Sequence, residues 1–179
     1  WVAGGMLLFG AYSGGTLLLV NNYVGPESHA DDHWHFWFME VFVHLVLAMA
    51  LLLAVPAVRA LERRRPYAFA LALFAVSLVG RMDWTIIGDP YNQRFRTHAV
   101  AFFFVAGWLV AQSSTVRQRV ATTALCLAVL PGFFGYSPRD WLIAAALVAL
   151  VWLPELPVPR PLVRPVSALA AASMWILIT

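Results

Sequence analysis

The sequence predicts an all-α fold, a polytopic transmembrane helix bundle. Three observations carry this expectation. Of 179 residues, 61% are hydrophobic and 12% charged, whereas a soluble chain carries about 25% charged residues to cover its surface. The mean hydropathy is +0.75. Long apolar runs are punctuated by Pro, Gly and Arg, and the length accommodates about seven bilayer spans. Alternation over ~10-residue segments, the mark of a membrane barrel, is absent. A soluble domain, disorder and nucleic-acid binding are excluded as main readings. The basic pI of 9.5 does not restore nucleic acid as a partner, because the 12 basic residues are all arginines spread along the chain. With Cys126 alone, neither a disulfide framework nor a cysteine-based zinc site is available.

A helical span needs about 20 mostly apolar residues. Span one covers 1–22 and is ended by Gly25-Pro26. Its Gly10–Gly14 spacing suits close helix packing. Span two covers 34–55 and is closed by Pro56. Span three runs from Pro66, at a first helical turn, to Trp84. Span four runs from His98 to Gln112, with Thr97 as its expected N-cap. Span five covers 116–134, bent or ended by Pro131-Gly132. Span six follows Ser137-Pro138 and ends at Leu153. Span seven begins near Pro161 or Pro165 and runs to Thr179. No internal repeat or low-complexity linker interrupts residues 1–179, which read as a single transmembrane helical domain. The chain opens on Trp1 and closes inside an apolar run, so the expectation is a part of a longer chain whose remaining helices or domains are its partners.

Arginine placement predicts the orientation. Arg59, Arg63, Arg64, Arg65, Arg117, Arg119, Arg160 and Arg164 fall in loops on one side of the predicted bundle, while Arg81, Arg94, Arg96 and Arg139 fall on the other among most of the acids. Positive-inside bias places the first group, and residue 1, in the cytoplasm. The expected location is an integral membrane position, in a bacterial inner membrane, with the lipid bilayer as the first partner.

Ionisable residues inside such spans mark sites by default, since a charge at the bilayer centre costs about 2.5–3.5 kcal/mol on insertion scales. His33, Trp37, Glu40 and His44 follow helical spacing and form one stripe of span two. Glu40 would lie about 10 Å and His44 about 16 Å below the outer end of that helix. The stripe is expected to face a cavity, lining a substrate channel or supporting its lining; the plain alternative is a structural polar patch. Arg81, near the outer end of span three, would reach the depth of Glu40 and pair with it through a two-pronged contact, or else extend to the headgroups. Arg94, Arg96 and His98 surround Phe95 at the mouth of span four, a candidate anion site or a headgroup anchor. His29, Asp31, Asp32, His33 and His35 cluster without a metal-ligand spacing, so no metal is expected. A haem between His44 and His98 is disfavoured, because one is read as deep and the other as lying at a helix mouth.

Three stretches resemble one family. His35-Phe36-Trp37-Phe38-Met39-Glu40 at the head of an apolar span resembles the Trp-Phe segment of the membrane-bound acyltransferase-3 family. Residues 101–108, AFFFVAGW, resemble that family's aromatic helix with its Gly-x-aromatic end, and residues 167–179, SALAAASMWILIT, resemble a late helix that usually runs into a histidine. The resemblance covers most of the chain. It implies an integral membrane acyltransferase core that moves an acyl group, such as acetyl, from acyl-CoA on the cytoplasmic side to a hydroxyl-bearing acceptor. No bound cofactor is implied; acyl-CoA is the donor substrate. It aligns the chain with the middle of the family's helix set, so the first helices, and the histidine proposed there as base, would precede Trp1. The catalytic residues are then expected outside these residues. Two other classes stay open: a transporter or permease subunit using the Glu40, His44 and Arg81 stripe, and a membrane anchor of a larger multidomain protein. A permease wants a polar path continuing past His44; the inner halves of spans two to six read as nearly free of polar residues, which favours the enzyme.

Overall fold

The computed structural model describes residues 37–82, 96–133, 135, 137–153 and scattered positions among 18–23 and 159–168. Predicted spans one and seven lie outside the described residues, apart from those scattered positions. The chain divides into two compact units, Met39–Pro154 and the pair of segments Trp1–Phe38 and Glu155–Thr179. The first of these units holds nearly all of the described structure.

Six helices occupy the described residues: α1 Trp37–Ala54, α2 Pro56–Arg64, α3 Pro66–Met82, α4 Thr97–Ala111, α5 Val116–Val129 and α6 Ser137–Trp152. No strand occurs among them, as the composition predicts. The all-α expectation holds at this level. One described helix, α1 with 18 residues, is long and apolar enough to cross a membrane, and α3 and α4 are apolar but shorter.

Helix boundaries follow local chemistry. Pro56 lacks the N–H that would continue α1, and instead occupies the first turn of α2 behind an extended Val55. The sequence assigned 57–65 to a loop; its residues instead form the nine-residue α2. Pro66 repeats the device at the start of α3. Thr115 starts α5 with a capping box: its side chain accepts from the Gln118 N–H at 3.3 Å, and Gln118 Oε1 accepts from the Thr115 N–H at 3.1 Å. α5 ends at Val129, just ahead of Pro131. The chain then turns through Gly132 at φ +85, a conformation in which glycine meets no Cβ penalty. The expected cap of α4 is displaced: Arg96 is its N-cap without a side-chain bond, and Thr97 is the first helical residue.

Helices α3 and α4 form the tightest packed pair. Small residues let their backbones approach: Ala70, Ala99 and Ala106 are fully buried, and a Cβ on Gly80 would meet the His98 carbonyl oxygen at 2.5 Å. Around this pair an apolar core coexists with buried polar groups and large exposed apolar side chains. Glu40, Ser113, Thr122 and Asp140 are buried, while Leu51 on α1 and Leu142 on α6 are each 71% exposed and Val76 and Val79 on α3 are each 68% exposed. Apart from Glu40 and Val41, α1 turns little of its length inward.

Candidate functional site

The polar groups collect in two layers at opposite ends of the helices. At one end stand Glu40 and His44 of α1, Arg81 of α3, the start of α4 and the start of α6. Glu40 is 2% exposed, as its place on the stripe predicted. Four residues on, His44 Nδ1 lies 3.0 Å from Thr97 Oγ1, a bond between α1 and α4. Thr97 is available for it because its hydroxyl is not spent on capping.

This bond revises the depths read from the sequence. His44 is seven residues below Trp37, about 10 Å at 1.5 Å per residue, yet it meets the first residue of α4. Helix α4 therefore starts about two turns lower than α1. The mouth of α4 and the deep end of the stripe are one place. His98, the next residue, is exposed, and its carbonyl packs on Gly80.

Arg81 does not take Glu40 as its partner. Its Nη2 donates to the Pro131 carbonyl at 3.4 Å, and its guanidinium sits over the rings of Phe102 and Phe133, at 5.2 and 6.0 Å from their centroids. Asp140 acts on it electrostatically. Asp140 itself is 1% exposed, and its Oδ2 accepts from the Gly132 N–H at 2.9 Å. The expected Arg81–Glu40 pair is thus replaced by a station in which α3, α4 and the turn between α5 and α6 share one guanidinium. The reason is packing: α3 lies on α4, which turns Arg81 toward Phe102.

The remaining predicted residues divide plainly. Trp37 opens α1 and stacks edge-on to Phe38. Arg96 is half-buried at the α4 N-cap. His33 and Arg94, with the whole His29–His35 cluster, lie outside the described residues. The structure therefore joins His44 to Thr97 across α1 and α4, buries Glu40 one turn above His44 on α1, and gives Arg81 to a neighbouring station.

At the other end, sequence reading missed a hydroxyl network. Tyr67 Oη donates to the Gln118 carbonyl at 3.3 Å and lies 3.3 Å from Thr122 Oγ1. Thr122 Oγ1 is 2.8 Å from Ser113 Oγ, which bonds the Leu109 carbonyl at 2.8 Å. Single hydroxyls hide in hydropathy averages; the available signal was the Thr122-Thr123 pair within the apolar part of α5. Between the two layers the buried residues are Phe74, Phe102, Val105, Leu109, Cys126 and Leu130, an apolar belt. Below His44 on the same seam, Met49 and Leu53 of α1 face Phe104, Gly107 and Trp108 of α4 across an apolar groove of about 420 Å³.

The chain, set against protein-family models, characterised proteins and solved structures, matches none of them.

Proposed function

We propose that this chain is the core of a multi-pass membrane acyltransferase, with the α1–α4 seam as the place where donor and acceptor meet. The observation that carries the reading is the layout of that seam. A polar end holds Glu40 and the His44–Thr97 bond. An apolar groove follows below, lined by Met49, Leu53, Phe104, Gly107 and Trp108, and its volume of about 420 Å³ suits an acyl chain with part of its carrier. A hydroxyl-bearing acceptor would enter at the polar end, and acyl-CoA from the groove end. The resemblance of residues 35–40, 101–108 and 167–179 to acyltransferase-3 segments supports the same reading.

The membrane part of the proposal rests on the large apolar side chains left exposed and on the length and hydropathy of α1. Lipid, not water, is the solvent that tolerates Leu51, Val76, Val79 and Leu142 outside while Glu40 and Asp140 are inside. On this reading α3, α4, α5 and α6 cross alongside α1, the arginine-rich ends face the cytoplasm, and the predicted first and seventh spans complete the set.

In the reaction a base takes the proton of the acceptor hydroxyl, the oxygen attacks the thioester carbonyl, and the carbon–sulfur bond breaks with the proton passing to the CoA thiolate. Here His44 is a positioning residue. Its Nδ1 is tied to Thr97, which fixes the ring on the face of α1 that also carries the buried Glu40 one turn away. The apolar belt between the two polar layers argues against a permease, which needs a continuous polar path.

The test is acyl-CoA consumption by purified, monodisperse protein in its full native length. Glu40→Gln and His44→Ala should each lower acyl transfer at least tenfold while insertion and folding persist, with Cys126→Ala near wild type. Full activity in both variants removes the seam from the mechanism. Loss of solute flux in place of acyl transfer assigns the chain to the permease class, and neither activity leaves the anchor.

A further inference from the structure

Helix α2 carries a site that neither the seam nor the acyl-transfer chemistry uses. Its sequence, PAVRALERR, puts Arg59 and Arg63 one turn apart on one face, with Arg64 beside them. These three, with Pro56 and Ala60, line a groove of about 350 Å³. Arg59 is held in place: its Nε donates to the Leu53 carbonyl at 3.0 Å, one of the last-turn carbonyls of α1 that no intrahelical N–H reaches. Its terminal nitrogens remain for another partner. Arg63 and Arg64 are exposed and make no hydrogen bond or ion pair with any described residue. The one acid on the helix, Glu62, pairs with neither. Like charges one turn apart repel, so three guanidinium groups around one groove are a site in want of an anion.

The surroundings say which anion. Close by in the chain, Leu51 near the end of α1 and Val55 at the bend are 71% and 47% exposed, and Leu61, on the face of α2 away from Arg59 and Arg63, is 52% exposed. An inorganic phosphate would satisfy the arginines and leave these side chains bare. A phosphodiester bearing acyl chains suits both: its oxygens accept two-pronged bonds from Arg59, Arg63 and Arg64, and the bilayer its acyl chains belong to receives the exposed apolar side chains of Leu51, Val55 and Leu61. A short helix with apolar residues on one face and arginines on the other is also the form that lies at a membrane surface. We propose that the Arg59–Arg63–Arg64 groove is a binding site for the headgroup of an anionic glycerophospholipid. The proposal stands independently of acyl transfer.

The experiment uses the detergent-purified full-length protein and counts retained lipid by native mass spectrometry after exposure to equal amounts of phosphatidylglycerol and phosphatidylcholine. Anionic lipid gains about fivefold in surface affinity per arginine, so wild type should retain phosphatidylglycerol over phosphatidylcholine by at least tenfold. The double change Arg63→Gln with Arg64→Gln should remove most of that preference, and the paired change to lysine should keep most of it. Arg117→Gln, an exposed arginine on α5, should leave it intact. The same lipid should raise the melting temperature of wild type and not of the double variant, and inorganic phosphate at equal concentration should raise neither. Equal retention of the two lipids, or preference surviving the double glutamine change, overturns the proposal. Protection by inorganic phosphate alone overturns it in favour of a soluble anion.

Discussion

His44 Nδ1 and Thr97 Oγ1 lie 3.0 Å apart, although 53 residues separate them in the chain. The bond joins the middle of one helix to the first residue of another, and so marks the vertical offset of α1 against α4. Without that offset the groove below would not be framed by Met49 and Leu53 on one side and Phe104, Gly107 and Trp108 on the other.

Thr97→Val keeps the shape of the side chain and deletes the hydroxyl. It should cost about 1 kcal/mol of stability, the net worth of a typical hydrogen bond. Combined with His44→Ala in a double-mutant cycle, the pair should show a coupling of about 0.5–1.5 kcal/mol. Strictly additive melting shifts would mean that the two side chains act independently.

Gly80→Ala probes the α3–α4 contact. The added methyl group would stand 2.5 Å from the His98 carbonyl oxygen, and a backbone atom cannot swing away as a flexible side chain can. Overpacking of this kind costs about 1–3 kcal/mol. Gly107→Ala is the control, because a Cβ there meets nothing within 4 Å; thermal denaturation of the two variants should separate them clearly.

Asp140 holds the turn after α5 through the Gly132 N–H. Asp140→Leu leaves that donor without its acceptor and should destabilise by about 1–3 kcal/mol. Asp140→Asn retains an acceptor oxygen and should cost less. Gly132→Ala should also destabilise, by about 1–2 kcal/mol, because the strain lies in φ +85 rather than in crowding. Equal melting points for the Leu and Asn variants would show that the carboxamide and carboxylate oxygens play no part there.

Tyr67→Phe removes the hydroxyl that bridges the Gln118 carbonyl and Thr122 Oγ1. The expected loss is about 0.5–1.5 kcal/mol. Thr122→Val, at a position with 0% exposure, should cost more, since Ser113 Oγ and Tyr67 Oη both lose a partner. Chemical denaturation of the single and double variants measures whether the three hydroxyls act as one network.

The proposed orientation in a bilayer is open to single-cysteine labelling in a Cys126→Ala background. An impermeant thiol reagent applied outside intact cells should label Ser28→Cys and Arg139→Cys, and should leave Glu62→Cys and Ser114→Cys unlabelled until the cells are opened. In the unaltered protein, buried Cys126 should resist the reagent in the folded state. The opposite labelling pattern would reverse the arginine argument.

Much of the local structure was legible residue by residue. Pro66 marks a helix start because a proline N–H is not needed in a first turn, whereas Pro56, read only as the close of span two, both follows α1 and opens α2. Thr115 and Gln118 carry their capping box in plain spacing. Glu40 had to be buried if α1 met lipid, because a carboxylate has no low-cost place among acyl chains. The nine-residue α2 was obscured by its charge: Arg59, Arg63 and Arg64, with Arg65 just after, read as a loop by hydropathy, though helical spacing puts Arg59 and Arg63 one turn apart on one face.

By itself, then, the sequence determined the all-α class, most of the positions where helices begin and stop, with α2 and the cap of α4 as the exceptions, and which residues share a face of one helix, because those depend on interactions within a few residues of each other. Only the tertiary structure decided the partners across helices. Arg81 could reach either Glu40 or the turn at Pro131, and its choice followed from the seating of α3 on α4 through Gly80, Ala99 and Ala106. His44 and Thr97 met because α4 begins about two turns lower than α1, at 1.5 Å per residue. Relative depth and rotation arise from the close packing of small side chains between helices, and no periodicity within one helix encodes them.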